Sequence, residues 1–248
     1  MPTATLAPVS KEASASTESD WIGALAGKFL VFEGPDGSGK STQMKRLTEA
    51  CEARGVRVTT VREPGGTSVG EQIRSVLLDP SSTMTLRCEM LLYMASRAQL
   101  VEQIVQPALA AGSLVIADRF LTSTFAYQGA GGGLSADDIR AVGTVATLGL
   151  RPDLILIYYV DVETATSRTR GVPTGGKKKA AADALHGFTL FDDRIEQRPD
   201  EFRRRVHESY LKQAKDDPGH HALIQAKASA EEVWNLTART LAERFGKK

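Results

Sequence analysis

The chain is 248 residues long, 42% hydrophobic and 25% charged, with a formal net charge of +1. That length suits one α/β domain, or at most two small ones, with room for a large core. The near-neutral charge leaves no general pull toward nucleic acid or an acidic membrane, so any anion has to be held by a local site.

Two cysteines, Cys51 and Cys88, form neither a disulfide framework nor a zinc signature and read as small residues of a reducing compartment. The opening stretch, MPTATLAPVSKEASASTESDW, lacks the apolar and basic regions of a secretory signal. No apolar run reaches the ~18 residues needed to cross a bilayer. Rich in Ala, Ser and Thr, residues 1–26 read as a disordered extension. A single domain is expected over 27–248, in the cytoplasm.

Past the extension, Lys28–Glu33 (KFLVFE) reads as a buried strand, short, apolar and ended by glycines. Lys40–Arg54 follows as a helix with Met44, Leu47 and Cys51 on one face and Gly55 as its stop. Val56–Val61 is a second strand, closed by Pro64, Gly65 and Gly66. A long helical stretch covers about Arg87–Ala111. Leu114–Asp118 and Leu154–Val160 are further strands, residues 200–215 a helix, and Ala222–Ala226 a fifth strand. Ser229 opens the last helix with Glu232 three residues on, a capping box. Strands separated by helices predict an α/β fold: a five-stranded parallel sheet flanked by helices on both faces. Ligands then bind beyond the carboxyl ends of the strands, where Gly34, Arg62–Gly66 and Asp118-Arg119 fall.

The segment Gly34–Ser41 (GPDGSGKS) fits G-x-x-x-x-G-K-[ST] between a strand and a helix, the context its mechanism requires. Gly34, Gly37 and Gly39 let backbone N–H groups converge on phosphate oxygens, and the helix start adds its positive end. Lys40 reaches the β and γ phosphates and the Ser41 hydroxyl ligates Mg²⁺, with Pro35, Asp36, Ser38 and Thr42 completing the ATP loop. The loop alone does not say whether the phosphoryl group goes to water, a protein or a small molecule.

Three stretches bear on the acceptor: REPGGTSVGEQIR from Arg62, LLYMASRAQL from Leu91, and DRFLTSTFAYQG from Asp118. Tyr93 and Arg97, four apart, share a helix face. A ring beside an arginine suits a flat base bearing carbonyl oxygens. Arginines at strand ends suit a phosphate monoester, which guanidinium meets with two parallel hydrogen bonds. FEGPDGSGKST, REPGGT, RAQ, DR-x-x-x-S-x-x-AYQG and PDL-I together resemble the bacterial thymidylate kinases, over roughly residues 28–245. The resemblance implies a P-loop nucleoside-monophosphate kinase fold, a homodimer, and transfer of phosphoryl from ATP to dTMP with Mg²⁺.

It also implies roles. Asp36 stands near the deoxyribose 3′-hydroxyl, and Arg119 holds the dTMP phosphate. Arg97 and Arg74 contact base and phosphate. Tyr93 takes the place of a ring stacked on thymine. Gln128 with Ser123 and Thr124 reads the thymine edge, Tyr127 crowds the sugar 2′ position, and Glu63 and Pro64 shape the same pocket. Duller roles stay open: Tyr93 as helix core, Arg74 as a solvated charge, Glu63 as loop structure. Asp118 either orients Arg119 or holds a Mg²⁺-bound water.

The variable P-loop positions carry no basic residue, so the resemblance implies a lid that supplies one, over about 168–194. Arg168 and Arg170 match its start and Arg194 its end; Asp193 and Glu196 stand near metal or sugar. Arg170 is the residue assigned to complete the site. The interior, GVPTGGKKKAAADALHGFTL, is longer than the family leads one to expect, and its Lys177–Lys179 read as a solvated charge run. Rival readings are a kinase for another monophosphate such as dUMP or dCMP, and a nucleotide switch without transfer. The absence of an N-K-x-D base reader counts against a GTPase-type switch.

Overall fold

The structure is a computed structural model and describes residues 20–161, 164, 165, 168 and 198–246. Five strands form one sheet: β1 (Phe29–Glu33), β2 (Val58–Arg62), β3 (Leu114–Asp118), β4 (Leu154–Tyr159) and β5 (His221–Gln225). Their order is β2-β3-β1-β4-β5, and every neighbouring pair is parallel. Leu30 sits in register with Ile116 on one side and Leu154 on the other.

Side chains on a strand alternate between faces, so a strand buried on both sides reads as an unbroken apolar run. Here Leu30, Phe32, Leu114, Ile116, Leu154 and Leu156 enter one core cluster, and Phe29, Val31, Val115, Ala117, Ile155 and Ile157 the other. The first face is covered by α2 (Lys40–Glu52) and α9 (Ala230–Phe245), through Leu47, Cys51, Val233 and Leu241. The second is covered by α4 (Leu86–Leu100), which continues through a π-helical turn at Val101–Val105 into α5 (Gln106–Ala110), and by α8 (Asp200–Asp216). The doubly covered parallel sheet predicted from the alternation of strands and helices is the observed one. The capping box at Ser229 and Glu232 is present in both directions.

The predicted boundary at residue 26 is corrected. A short helix, α1 (Asp20–Gly23), carries Trp21 and Ile22, and with Leu25 they are buried in the cluster beneath α2 and α9. A polar composition upstream hid a brief apolar patch, and a Trp side chain gains enough by burial to hold it down. Residues 1–19 lie outside the described residues.

Among the described residues three further helices were not among the predicted elements. α3 (Ser68–Leu78) starts at Thr67, whose hydroxyl caps Gly70 N–H, and α7 (Ala136–Thr147) starts at Ser135. Between them α6 (Leu121–Thr124) runs into a π-helical turn at Phe125–Gly131. Met90 and Met94 of α4 pack on Ile139 and Ala146 of α7 as a third cluster. These helices set the side chains of the REPGGT and AYQG stretches around one cavity. Among the described residues no helix is long and apolar enough to cross a membrane.

Candidate active site

The chain leaves β1 through a loop that only glycine can form at its first position. Gly34 has φ +127°, and a Cβ there would lie 2.3 Å from the Tyr158 carbonyl oxygen. Gly39 (φ +88°) caps α2 without a side-chain bond, so the first N–H groups of the helix face the loop's concavity. Lys40 is buried, its Nζ donating to the carbonyls of Gly34 at 2.8 Å and Pro35 at 3.0 Å and standing 3.6 Å from Asp36 Oδ1. Burial and the nearby Arg119 charge pull the Lys40 pKa down, and Asp36 opposes them.

Arg119 follows β3 with a backbone in the left-handed region at φ +69°, unusual for a branchless but bulky side chain. Its Nη2 donates to Asp36 Oδ1 at 2.6 Å, and its Nη1 to Tyr210 Oη at 3.2 Å and Ser123 Oγ at 3.3 Å. Burial pushes the Asp36 carboxyl up, but Arg119 and Lys40 together hold it below the usual carboxylate range. The Arg119 guanidinium is thus fixed against the P-loop.

Beneath Arg119 lies Glu33, the last residue of β1, wholly buried. Its Oε1 accepts from the N–H groups of Phe120 (2.9 Å) and Ser123 (3.1 Å); its Oε2 accepts from the hydroxyls of Ser123 (2.6 Å) and Tyr210 (3.1 Å). Sequence reasoning missed Glu33 and Tyr210. The signal was present for Glu33, a charged residue closing an otherwise apolar buried run, but Tyr210 is 177 residues away on α8.

All the side chains assigned to the acceptor from sequence, Asp36, Glu63, Pro64, Arg74, Tyr93, Arg97, Arg119, Ser123, Thr124, Tyr127 and Gln128, line one cavity of about 260 Å³. Within it Arg97 is almost fully buried. Its Nε and Nη2 meet Glu63 Oε2 at 2.8 and 2.6 Å, and its Nη1 donates to Thr124 Oγ1 at 3.2 Å. Burial pushes the Glu63 carboxyl up to about 7 against the pull of Arg97. Glu63 therefore holds Arg97 as well as shaping its own loop. Arg74 donates to the Pro64 carbonyl at 3.0 Å, so it braces the REPGG turn from the cavity wall. Glu71 accepts from Gly66 N–H at 2.7 Å and from Arg62. Tyr127 places its ring 5.4 Å from the Arg119 guanidinium. Gln128 Nε2 donates to the buried Glu89 at 2.8 Å, and Glu89 in turn accepts from Arg198 at 2.5 Å. Neither Glu89 nor Arg198 stood out in the sequence.

Ser41 and Asp118 line the same cavity, and both also border a broader groove of about 740 Å³ along α2. Among the described residues, Asp118 Oδ1 is buried with no hydrogen-bond partner. An orphaned carboxylate oxygen on a residue that shares a cavity with the Ser41 hydroxyl fits a Mg²⁺ ion that keeps most of its water and takes its other ligands from phosphates. Of the segment assigned as lid, Arg168 is described: it donates to the carbonyls of Ala226 at 2.8 Å and Lys227 at 2.9 Å, just past β5. Arg170, Asp193, Arg194, Glu196 and Lys177–Lys179 lie outside the described residues.

Known proteins place this geometry. The family model described as thymidylate kinase matches residues 32–236. Thymidylate kinase of Caldanaerobacter subterraneus subsp. tengcongensis is 39% identical over 219 residues, covering 88% of this chain and 97% of that protein. Thymidylate kinase of Desulforudis audaxviator is 41% identical over 226 residues, covering 89% and 94%. A crystal structure of thymidylate kinase from Ehrlichia chaffeensis superposes with a TM-score of 0.65 at 29% identity, covering 86% of this chain and 97% of that one. With the P-loop, the buried arginines and the doubly covered sheet already in hand, the chain belongs to the thymidylate kinase family and is a kinase.

Proposed function

We propose that the protein transfers the γ-phosphoryl group of ATP to the 5′-phosphate of dTMP, giving ADP and dTDP. The observation that carries this reading is the seat of Arg119: a guanidinium held 2.6 Å from the P-loop carboxylate Asp36, at the mouth of a cavity sized for one nucleotide. The acceptor is a phosphate oxygen that is already ionised, so no strong base is needed. A bond forms from that oxygen to Pγ while the Pγ–O bond to ADP breaks. The protein's task is to align two anions and offset their charge.

The P-loop amides and Lys40 hold the donor phosphates. Arg119 exchanges its contact with Asp36 for the dTMP phosphate, and Asp36 is then free for the 3′-hydroxyl. Arg97, locked by Glu63, presents a donor toward a thymine carbonyl, Gln128 reads the base edge, and Tyr93 stacks on it. Tyr127 closes the wall beside the sugar. Ser41 and, through water, Asp118 would hold a Mg²⁺ ion, which would supply charge neutralisation at the donor phosphates. Arg170 completes the charge around the transferred group from the lid. Two copies form the working protein, as the resemblance implies.

The test is a coupled ADP-release assay with ATP, Mg²⁺ and dTMP, dUMP, UMP, dCMP or dGMP, run on the wild type and on Arg119→Ala. Turnover highest with dTMP is expected, with some dUMP activity, since a methyl group gives only ~1–3 kcal/mol of discrimination. Arg119→Ala should lower kcat/KM for dTMP by at least ~10²-fold. Preference for another base would overturn the roles of Tyr93 and Gln128. No turnover with any acceptor would overturn the reading itself.

A further inference from the structure

The base edge of the cavity is read by an amide, and an amide can face either way. Gln128 carries a carbonyl oxygen that accepts and an NH₂ that donates, so what it offers a base depends on which end points inward. We infer that Glu89 sets that choice, and so fixes selection of a base with an N3–H donor, as in thymine or uracil, over cytosine. The inference rests on the acceptor reading above.

Glu89 lies on α4, one turn before Tyr93, and is 1% exposed. A carboxylate only accepts, so the group of Gln128 that meets it at 2.8 Å must be the NH₂. Arg198 donates to the other oxygen of Glu89 at 2.5 Å in a salt bridge, so both oxygens of the carboxylate are taken by donors. Arg198 is itself seated by Phe202, with its guanidinium 4.6 Å from the ring. Gln128 is 2% exposed, and among the described residues its Oε1 accepts no hydrogen bond. The amide therefore presents an acceptor at the cavity wall. Thymine and uracil answer it with N3–H. Cytosine offers a lone pair at N3, which leaves two acceptors face to face with no proton between them. Arg97 adds a second, independent bias, because its donors suit a carbonyl at position 4 rather than an amino group. Glu89 is thus a positioning residue: it touches no substrate and acts through Gln128.

The experiment compares kcat/KM for dTMP, dUMP and dCMP in the wild type, Glu89→Gln, Glu89→Asp and Arg198→Lys, with melting temperatures alongside. Glu89→Gln removes the acceptor-only constraint, so Gln128 can turn its NH₂ inward. The dTMP:dCMP ratio should narrow by ~10-fold or more. The dTMP:dUMP ratio should stay as it is, because both bases carry N3–H. A general loss of packing would move all three nucleotides together. Glu89→Asp keeps the charge for Arg198 but draws back from Gln128, and should narrow the dTMP:dCMP ratio in the same direction if Glu89→Gln does not fold. Arg198→Lys keeps the cation and should leave the ratio unchanged. An unchanged dTMP:dCMP ratio in the Glu89 variants, with the wild type preferring dTMP, overturns this inference and spares the acceptor reading. Equal narrowing in Arg198→Lys also overturns it. A wild type that turns over none of the three overturns both.

Discussion

Arg119 combines a left-handed backbone with a buried charge, and each needs support from neighbours. The φ of +69° costs a non-glycine residue on the order of 1 kcal/mol or more, and the peptide is held in place by Arg119 N–H donating to the Phe32 carbonyl at 3.0 Å. Glu33 secures the following turn through Phe120 and Ser123 N–H and steadies the two hydroxyls that contact the guanidinium. Replacing Glu33 with Gln puts an NH₂ where a second accepting oxygen stood, so the Ser123 and Tyr210 hydroxyls lose the acceptor of their protons. Glu33→Gln should raise KM for dTMP several-fold while KM for ATP changes little, because the P-loop amides do not depend on it. It should also cost on the order of 1–3 kcal/mol of stability. Steady-state kinetics with each substrate varied in turn checks the split; an equal rise in both KM values would mean that Glu33 supports the whole loop rather than the acceptor arginine.

Among the elements, α8 crosses behind the site and brings Tyr210 to Glu33 and His207 to the end of β4. The His207 ring stands 4.6 Å from the Tyr159 ring, and among the described residues its buried Nε2 has no partner. Burial lowers its pKa from the ordinary value of 6.5, more than the charge of Asp161 raises it. The unfolded chain therefore takes up a proton at His207 before the folded one does. The stability this neutral ring contributes is complete above pH 6.5 and is lost as pH falls through that value toward the lowered folded one. Urea unfolding of the wild type and of His207→Gln across this window should show a smaller loss on acidification in the variant. Parallel slopes would mean that His207 titrates normally.

For the whole molecule, the two sheet faces are sealed by segments far apart in the chain, including the turn at Trp21. Trp21→Ala removes a ring buried among α2 and α9 and should cost about 3–5 kcal/mol by chemical denaturation. A loss below 1 kcal/mol would show that α1 is dispensable to the core. Ligand binding gives the complementary measurement. Because the cavity is lined by side chains that the fold itself brings together, dTMP alone should raise the melting temperature, with ~2.7 kcal/mol of stabilisation at a hundred times its Kd. A protein that responds only to the triphosphate would instead be a nucleotide switch.

What the sequence determined by itself is what local order can encode. Apolar runs of strand length between helical stretches specify a parallel sheet, because period and spacing are fixed by the backbone. The glycines and Lys40 specify a phosphate loop for the same reason: all its parts lie within eight residues. The residues assigned to the acceptor from sequence were legible as clusters beyond strand ends, and the structure gathers them in one cavity. Tertiary structure alone decided their partners. Glu33 meets Tyr210 across 177 positions, Glu89 meets Arg198 across 109 and Gln128 across 39. A carboxylate in isolation looks the same whether it will be solvated or buried. Only the packing of α4, α8 and the AYQG turn removes water from these carboxylates, and a buried charge must then find donors wherever the fold supplies them. Trp21 illustrates the same limit on the apolar side: a single ring in a polar stretch carries no period, and its burial follows from the surface that α2 and α9 leave open.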